Sequence, residues 1–492
     1  MSSSGRSVFS AISSVASANI VTNLVTAVVT PILVRVLGAS GYGQYATAMA
    51  LFGLVQILMS SGVNTGVRKF ISESRESADW EADVFSFYFR KSVVLSTIFA
   101  VVFFSYPSIS DLINTPKLLD APIFIWLSLM CVAVQLRGFT NRTLLGLKRE
   151  KIAEPIRIVY SVCFGVLSVF LAKKYGVSGV FMSQVLVSLI VGIISAILIS
   201  SILDEINIVS ISGKLPVSEM TSFNNKSVMY YFFITSLYHV DVLLLQYFRS
   251  DTEVGQYKAA LFITTLLWVL PTAIQRVMLQ STSDLWDERV GKIESLASKT
   301  FKYNTIITVA IALGASLSMP VFVELYFGSQ FRPTVVPALI LLPGTVGFAL
   351  ARPLMSINQS SGNMDVLIIS VLICMITNAA LNITLIPELG MTGAAVATSL
   401  TYAILPILQI GIARRNGYDP VNRVSHEVLT ILMLSLMIYF VGDYSLGITG
   451  DGRAATVAVI MSSMAVYILT LVKLDILPIY NIYNGLRKKI SQ

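Results

Sequence analysis

Apolar and polar residues alternate along this chain in long blocks, and most of the apolar blocks are as long as a bilayer is thick. A run of about 18 or more apolar residues crosses the hydrocarbon core as one helix. By that rule, relaxed for a few shorter runs, the pattern predicts fourteen transmembrane helices, with twelve as the alternative count. The predicted spans are 14–36, 44–61, 88–106, 119–136, 156–171, 180–202, 228–248, 257–278, 303–323, 335–354, 366–386, 394–412, 428–441 and 454–471.

Two stretches of the second half repeat stretches of the first half. GQYKA at 255–259 echoes GQYAT at 43–47, and LGMTGA at 389–394 echoes YGVSGV at 175–180. Each half then holds six spans in the same order, and an even number means that both halves enter the membrane from the same side. We therefore predict an all-α polytopic protein of two six-helix lobes in parallel pseudo-twofold repeat, with substrate between them.

The repeat and the polar gaps also divide the chain. The predicted parts are an N-lobe of helices 1–6, a cytoplasmic linker, a C-lobe of helices 7–12, and two trailing helices with a basic cytoplasmic tail. With the N-terminus in the cytoplasm, most of the 35 Lys and Arg residues fall on the inner side, as the positive-inside rule requires. Both termini are thus predicted to be cytoplasmic. In chain order, the N-lobe covers 1–205, the linker 206–225, the C-lobe 226–415, and the trailing helices with the tail 416–492.

Composition supports a membrane protein and argues against several other classes. The chain is 55% hydrophobic and 13% charged, against about 25% charged residues in soluble proteins. Its net charge of +8 is scattered among apolar segments, which does not suit nucleic-acid binding. Three cysteines and two histidines show no metal-ligand spacing. The sequence has no phosphate-binding loop, nucleophile elbow or paired carboxylates, so we predict a transporter and not an enzyme.

Three segments in this order carry a resemblance to a known family. They are TPILVRVLGASGYGQYATA in the first two spans, DVLLLQYFRSDTEVGQYKAA in the seventh and eighth, and GMTGAAVATSLTYA at the twelfth. Together they resemble the polysaccharide transporters of the multidrug/oligosaccharidyl-lipid/polysaccharide exporter superfamily, and most of all the O-antigen and capsule repeat-unit flippases of the Wzx type. No single segment is diagnostic.

The resemblance implies a fold of fourteen helices, like that of multidrug and toxin extrusion (MATE) transporters, in a prokaryotic plasma (inner) membrane. It implies that an undecaprenyl-pyrophosphate-linked oligosaccharide moves from the inner to the outer leaflet by alternating access, driven by an ion gradient. The expected partners are this lipid-linked oligosaccharide, membrane lipids and the polysaccharide polymerase and chain-length machinery. We expect a functional monomer without a cofactor, coupled to H⁺ or Na⁺. The alternative is a small-molecule or drug antiporter of the related branch.

Anionic cargo of this kind needs cations, and planar Arg suits bidentate phosphate contact. Arginine and lysine near helix ends more often reach to the interface and only fix topology, so each candidate has that alternative. Arg276 and Arg352 follow long apolar runs, and Arg35 stands four residues after Pro31. The wider candidate set is Arg35, Arg90, Lys91, Arg137, Arg142, Arg157, Arg276 and Arg352, of which Arg35, Arg142, Arg276 and Arg352 are the preferred cavity residues.

Asp241 lies inside an apolar run, where an ionisable residue is a functional hypothesis by default. The spacing places Tyr231, Tyr238 and Asp241 on one helix face, which predicts a polar stripe in the cavity. Asp241 then either titrates with a coupled proton or coordinates sodium, or else pairs structurally with an arginine. Three amides complete the predicted cavity residues, although such side chains more often hydrogen-bond between helices. They are Asn64, Asn378 and Asn382.

Overall fold

The computed structural model describes residues 3–73, 79–112, 118–203, 215–222, 225–283, 286, 290–449 and 453–477. These residues form helices joined by short connections and contain no strand. Two short 3-10 segments, Leu266–Trp268 and Ser329–Thr334, precede α8 and α10. The helices are α1 (Ser3–Ser72), α2 (Trp80–Leu112), α3 (Ala121–Gly146), α4 (Glu150–Ser200), α5 (Val217–Ser222), α6 (Asn225–Phe248), α7 (Asp251–Thr265), α8 (Val269–Ser283), α9 (Val290–Phe327), α10 (Val335–Ser360), α11 (Met364–Arg415), α12 (Ser425–Thr449) and α13 (Arg453–Lys473).

Eleven helices in the described part of the chain are long and apolar enough to cross a membrane. Three of them, within α1, α4 and α11, are 51 or 52 residues long, which is about twice what one crossing needs. Each contains one glycine with a non-helical backbone, namely Gly38, Gly176 and Gly390. Dividing the three helices at these glycines separates the two spans predicted in each. The total of fourteen stays a prediction.

The internal repeat is visible in the backbone. Gly176 has φ 56° and ψ −136°, and Gly390, the matching residue of the second half, has φ 57° and ψ −136°. A positive φ is strained for residues with a Cβ, so the same glycine in both halves allows the same bend. Helices α3 and α10, which stand at equivalent places, are both 26 residues long. The sequence repeat is therefore a structural repeat.

The described chain packs as two compact units, Met1–Gln256 and Tyr257–Gln492. In the first unit α6 packs along α1, although the repeat assigns α6 to the C-lobe. Units defined by contact and lobes defined by repeat are thus different divisions, and the predicted lobe boundaries stay a prediction. Most of the predicted linker and the end of the basic tail lie outside the described residues.

Gly43 and Gly255, the glycines of the repeated GQY motif, pack against each other within the first unit. A Cβ on Gly43 would overlap the carbonyl oxygen of Asp251, and a Cβ on Gly255 would overlap that of Ala39. The two contacts are equivalent, because Ala39 and Gly43 of the first repeat correspond to Asp251 and Gly255 of the second. Gln44 Nε2 donates to Asp251 Oδ2 at 2.8 Å beside them. The motif therefore serves close helix packing, which only glycine permits at this separation.

In the second unit the trailing helices α12 and α13 pack on α9. The Tyr467 hydroxyl of α13 donates to the Ile306 carbonyl of α9 at 3.1 Å, and Lys302 Nζ of α9 lies 2.7 Å from Glu427 Oε2 of α12. A buried apolar cluster that includes Leu313 and Ile431 fills the space between these helices. The trailing helices are thus an integral part of this unit.

Candidate functional site

Polar side chains from α1, α2, α3 and α4 lie at one depth inside the first unit. Asn64 stands eight residues before the end of α1, and Arg90 stands ten residues after the start of α2. Arg137 stands nine residues before the end of α3, and Arg157 stands seven residues after the start of α4. At about 1.5 Å of rise per residue, each is about 10–15 Å from the same end of the bundle. The helix ends concerned are joined by short connections, at 73–79 and 147–149.

Contacts between α2 and α3 set this shared level. Gln135 Nε2 donates to Ser92 Oγ at 2.9 Å, and the rings of Phe89 and Phe139 are 5.7 Å apart. Because the two helices run antiparallel, these contacts place Arg90 and Arg137 side by side in register. A Cβ on Gly138 would lie 3.3 Å from Asn64 Nδ2, which brings α1 to the same level.

Helix α4 joins the group through an aromatic ring. The Arg137 guanidinium carbon lies 3.8 Å from the centre of the Tyr160 ring, a distance at which cation and ring attract. Arg157 is one turn earlier on α4, and its Nη2 is 2.8 Å from Glu154 Oε2 without hydrogen-bond geometry. We call Asn64, Arg90, Arg137 and Arg157 the basic cluster.

Every member of the basic cluster has a buried polar atom without a hydrogen bond to a described residue. These atoms are Asn64 Oδ1, Nε and Nη2 of Arg90, Arg137 Nε, and Nε and Nη2 of Arg157. A buried guanidinium N–H that lacks an acceptor costs free energy, since water no longer solvates it. The arrangement can therefore bind an anion that supplies several oxygen acceptors at once.

Asp241, the predicted coupling residue, has no solvent exposure on α6. Its Oδ1 accepts a hydrogen bond from the Val242 N–H at 2.7 Å. The two tyrosines predicted to share its face are more accessible, with Tyr231 43% exposed and Tyr238 half-buried. The three side chains therefore differ in accessibility in this conformation, and their shared role in a cavity stays a prediction.

Asn378 and Asn382 are buried on α11 and bond to each other. Asn382 Nδ2 donates to the carbonyl oxygen and to Oδ1 of Asn378, at 2.9 and 3.0 Å. Asn378 Nδ2 in turn donates to Thr398 Oγ1 at 3.3 Å. Each amide thus already bonds to a neighbouring polar group, as amides in membrane helices commonly do. Their predicted contact with glycan hydroxyls is untested.

Arg352 is held against aromatic rings inside the second unit. Its guanidinium carbon lies 4.6 Å from the Trp268 ring and 4.9 Å from the Phe348 ring. Its Nη1 donates to Gln275 Oε1 at 3.2 Å. Arg276, next to that glutamine on α8, is exposed. The structure thus brings Arg352 and α8 together and leaves Arg276 exposed.

Arg35 and Arg142 are also exposed, on α1 and α3. These two are the preferred arginines of the first unit, and neither belongs to the basic cluster. Sequence reasoning placed the three clustered arginines in its wider set only, and preferred Arg142 from that region. Distance from the helix end is the signal that separates them, because Arg142 is only four residues before the end of α3. No group of His, Cys, Asp and Glu that would hold a metal ion occurs among the described residues.

Comparison with known proteins places this chain. Residues 8–279, more than half of the chain, match the family described as polysaccharide biosynthesis protein. The probable low-salt glycan biosynthesis flippase Agl15 of Haloferax volcanii is 24% identical over 401 residues, which cover 80% of each chain. The probable flippase AglR of the same organism is 23% identical over 61% of this chain and 63% of its own.

Solved structures show the same fold at low sequence identity. The lipid II flippase MurJ in an inward closed conformation has a TM-score of 0.75 at 13% identity, over 93% of this chain and 99% of that one. An inward-facing multidrug resistance MATE family transporter of the MOP superfamily has a TM-score of 0.66 at 14% identity, over 80% and 94%. The predicted all-α, MATE-like fold is confirmed. The chain belongs to the family described as polysaccharide biosynthesis protein.

Proposed function

We propose that this protein is a flippase that moves a lipid-linked oligosaccharide from one leaflet of a membrane to the other by alternating access. Two relatives that match most of the chain are named as glycan or probable flippases, and the MurJ likeness gives a fold that such a protein uses. In finer detail, we propose an undecaprenyl-pyrophosphate-linked repeat unit of O-antigen, capsule or a related surface polysaccharide, carried from the cytoplasmic to the outer leaflet.

The observation that carries the proposal is the positive charge inside the first unit. Arg90, Arg137 and Arg157 bury guanidinium nitrogens at one depth, and the one ion pair that the described residues give them is that of Arg157 with Glu154. A site with surplus positive charge favours an anionic head group and disfavours the cationic compounds that a multidrug exporter would carry. The cargo of a lipid-linked oligosaccharide transporter has such a head group.

A drug antiporter is the second candidate, and Asp241 is the observation that favours it. A fully buried carboxylate on α6 suits exchange of a proton or sodium ion for a cation. The same residue fits the flippase as the group that couples flipping to an ion gradient. We therefore propose coupling to H⁺ or Na⁺ through Asp241 for either function. We also propose that the protein works as a monomer beside the polymerase and chain-length machinery.

The proposal is tested by deleting the gene in its host. We expect surface polysaccharide to disappear and lipid-linked repeat units to accumulate on the cytoplasmic side of the plasma membrane. Return of the wild-type gene should restore both. Normal surface polysaccharide together with altered drug sensitivity would instead support the antiporter. Asp241→Asn should leave the protein in the membrane but weaken gradient-dependent flipping, and unchanged flipping would exclude Asp241 as the coupling group.

A further inference from the structure

The basic cluster differs from ordinary arginines of a membrane protein in its depth and in its incomplete hydrogen bonding. Arginines near a membrane interface place their charge in water. Here the guanidinium atoms of three helices are buried about 10–15 Å from the bundle end, and they have no hydrogen-bond acceptor among the described residues. Such an arrangement is costly unless a ligand of opposite charge completes it.

The shape of the cluster indicates what that ligand is. Arg137 is fixed by its stacking on Tyr160 of α4. Arg157 lies one turn before Tyr160 on the same helix. Arg90 adds two donors, Nε and Nη2, from the opposite helix α2. Buried donors from three helices at one depth suit an anion with oxygens on more than one centre, and guanidinium forks match phosphoryl oxygens in pairs.

Charge balance points the same way. Among the described residues the structure gives one ion pair for the three arginines, that of Arg157 with Glu154, whose side chain is 5% exposed. Glu154 also lies near the charges of Arg142, Arg68 and Glu150, so cations outnumber carboxylates around it. A pyrophosphate diester, with an ionised oxygen on each phosphorus, brings the negative charge and the acceptors that this group lacks.

We infer that Arg90, Arg137 and Arg157 form a binding site for the pyrophosphate of an isoprenoid-linked cargo, inside the end of the first unit that is predicted to face the cytoplasm. This inference rests on the proposed function and adds to it a place and a chemical class. Tyr160 and Asn64 position the site: the ring holds Arg137, and the unsatisfied Asn64 Oδ1 is available to a sugar hydroxyl.

The test measures binding to the purified full-length protein in nanodiscs of neutral lipid. Farnesyl pyrophosphate is the probe, with farnesol as the phosphate-free control. We expect farnesyl pyrophosphate, and not farnesol, to bind and to raise the melting temperature. Arg137→Gln should weaken binding about 10-fold or more, because it removes charge-assisted hydrogen bonds. Arg149→Gln, at the exposed start of α4, removes the same charge nearby and should bind as wild type does.

Two more variants keep the test decisive if one protein folds poorly. Arg90→Gln should weaken binding in the same way, and Arg137→Lys should retain charge but lose the paired contact, giving intermediate affinity. Without ligand, Arg90→Gln should melt at or above the wild-type temperature, because it removes a buried cation that has no hydrogen-bond acceptor among the described residues, whereas Arg137→Lys keeps the charge and weakens the contact with Tyr160. Wild-type affinity in all three variants, or equal binding of farnesol, would overturn the site.

The origin of the phosphate is decided by competition. Phosphatidylglycerol added to the nanodiscs should displace the probe only weakly. If it displaced the probe as efficiently as unlabelled farnesyl pyrophosphate does, the site would bind membrane phospholipid, and the inference that it binds the cargo would be wrong. Failure of the site and failure of the proposed function can also be told apart. If the protein binds the probe through these arginines but does not flip lipid-linked sugar, the binding site stands and the proposed function is wrong. If Arg90→Gln and Arg137→Gln flip normally, the proposed function stands and the binding site is wrong.

Discussion

Near the end of α10 the second unit buries a group of polar side chains that satisfy one another. Asn358 Nδ2 donates to the carbonyl and Oε1 of Gln409, at 3.1 and 3.0 Å, and Asn358 Oδ1 accepts from the Tyr418 hydroxyl at 2.6 Å. Gln409 Nε2 completes the group by donating to Ser370 Oγ at 3.2 Å. We call these four residues the amide network.

The basic cluster of the first unit also contains buried polar atoms, but its hydrogen bonds are incomplete. Arg90 and Arg157 each bury two guanidinium nitrogens without a hydrogen bond to a described residue, although Arg157 Nη2 lies 2.8 Å from Glu154 Oε2. A satisfied network stabilises the fold and needs nothing more, whereas unsatisfied cations weaken the free protein and favour an anion. Burial alone therefore does not distinguish the two groups, whereas the unmet hydrogen-bonding capacity of the arginines does.

The largest effect is expected from breaking the amide network. Asn358→Ala removes the partner of both Gln409 and Tyr418 and leaves their buried polar atoms unsatisfied, at a cost of about 2–4 kcal/mol. Unfolding of the purified protein in mild detergent would measure it. Asn363→Ala is the matched control, because Asn363 is exposed and its side chain makes no cap hydrogen bond. Equal melting of the two variants would contradict a structural role for the network.

A smaller effect is expected when one donor of the network is removed. Tyr418→Phe keeps the ring, which packs against Trp286, but takes the hydroxyl from Asn358 Oδ1, costing about 1–2 kcal/mol. Burial raises the pKa of Tyr418, so the hydroxyl remains a donor at neutral pH and the loss should not depend on pH between 6 and about 9. A loss of stability that changed over this range would contradict this account.

The basic cluster should respond in the opposite direction. Arg90→Met replaces unpaired buried donors with an apolar chain of similar length, and should stabilise the ligand-free protein by about 1 kcal/mol or leave it unchanged. The same change should reduce flipping. Arg149→Met, on an exposed position, is the control for loss of charge. Clear destabilisation by Arg90→Met alone would give Arg90 a structural role and remove the contrast with the amide network.

The smallest effect is expected at a partly exposed site, Asp419, in the connection between α11 and α12. Burial alone would raise its pKa, but hydrogen bonds from the Val421 N–H and the Arg414 guanidinium outweigh burial and hold the pKa below its usual value. A lowered pKa means that the carboxylate stabilises the fold above about pH 4 and loses this effect as the pH falls further.

Because Arg414 is largely exposed, we expect this contribution to be only about 0.3 kcal/mol. The melting temperatures of the wild type and Asp419→Asn should differ slightly at neutral pH, and the difference should vanish as the pH falls towards about 3. A difference that persisted in acid would show that the ionised form is not the stabilising one.

The length and order of the apolar blocks were enough to predict the fold class, because each membrane crossing must be a continuous apolar helix. The repeat was equally readable, since a bend at Gly176 and at Gly390 requires glycine in both halves. The spacing of the GQY motif marked the repeat, yet the contact of Gly43 with Gly255 is a property of helix packing that no local pattern contains.

Candidate site residues were less accessible to sequence reasoning. Arg137 and Arg142 look alike in sequence, and so do many arginines near helix ends. What separates them is the neighbouring helix: Arg137 meets Tyr160, and Arg142 is exposed on the same α3. Asp241 was recognisable as an unusual charge, but its complete burial in this conformation depends on how α6 packs along α1.

The helical membrane fold and the internal repeat follow from the sequence alone, because apolar length and glycine position are local properties. Tertiary structure alone decided which polar groups meet. Hydrogen bonding and burial depend on residues far apart in the chain, such as Asn358 and Tyr418, or Arg90 and Arg137. Only their packing shows that the first pair is hydrogen-bonded and that the second keeps buried donors without a hydrogen bond to a described residue.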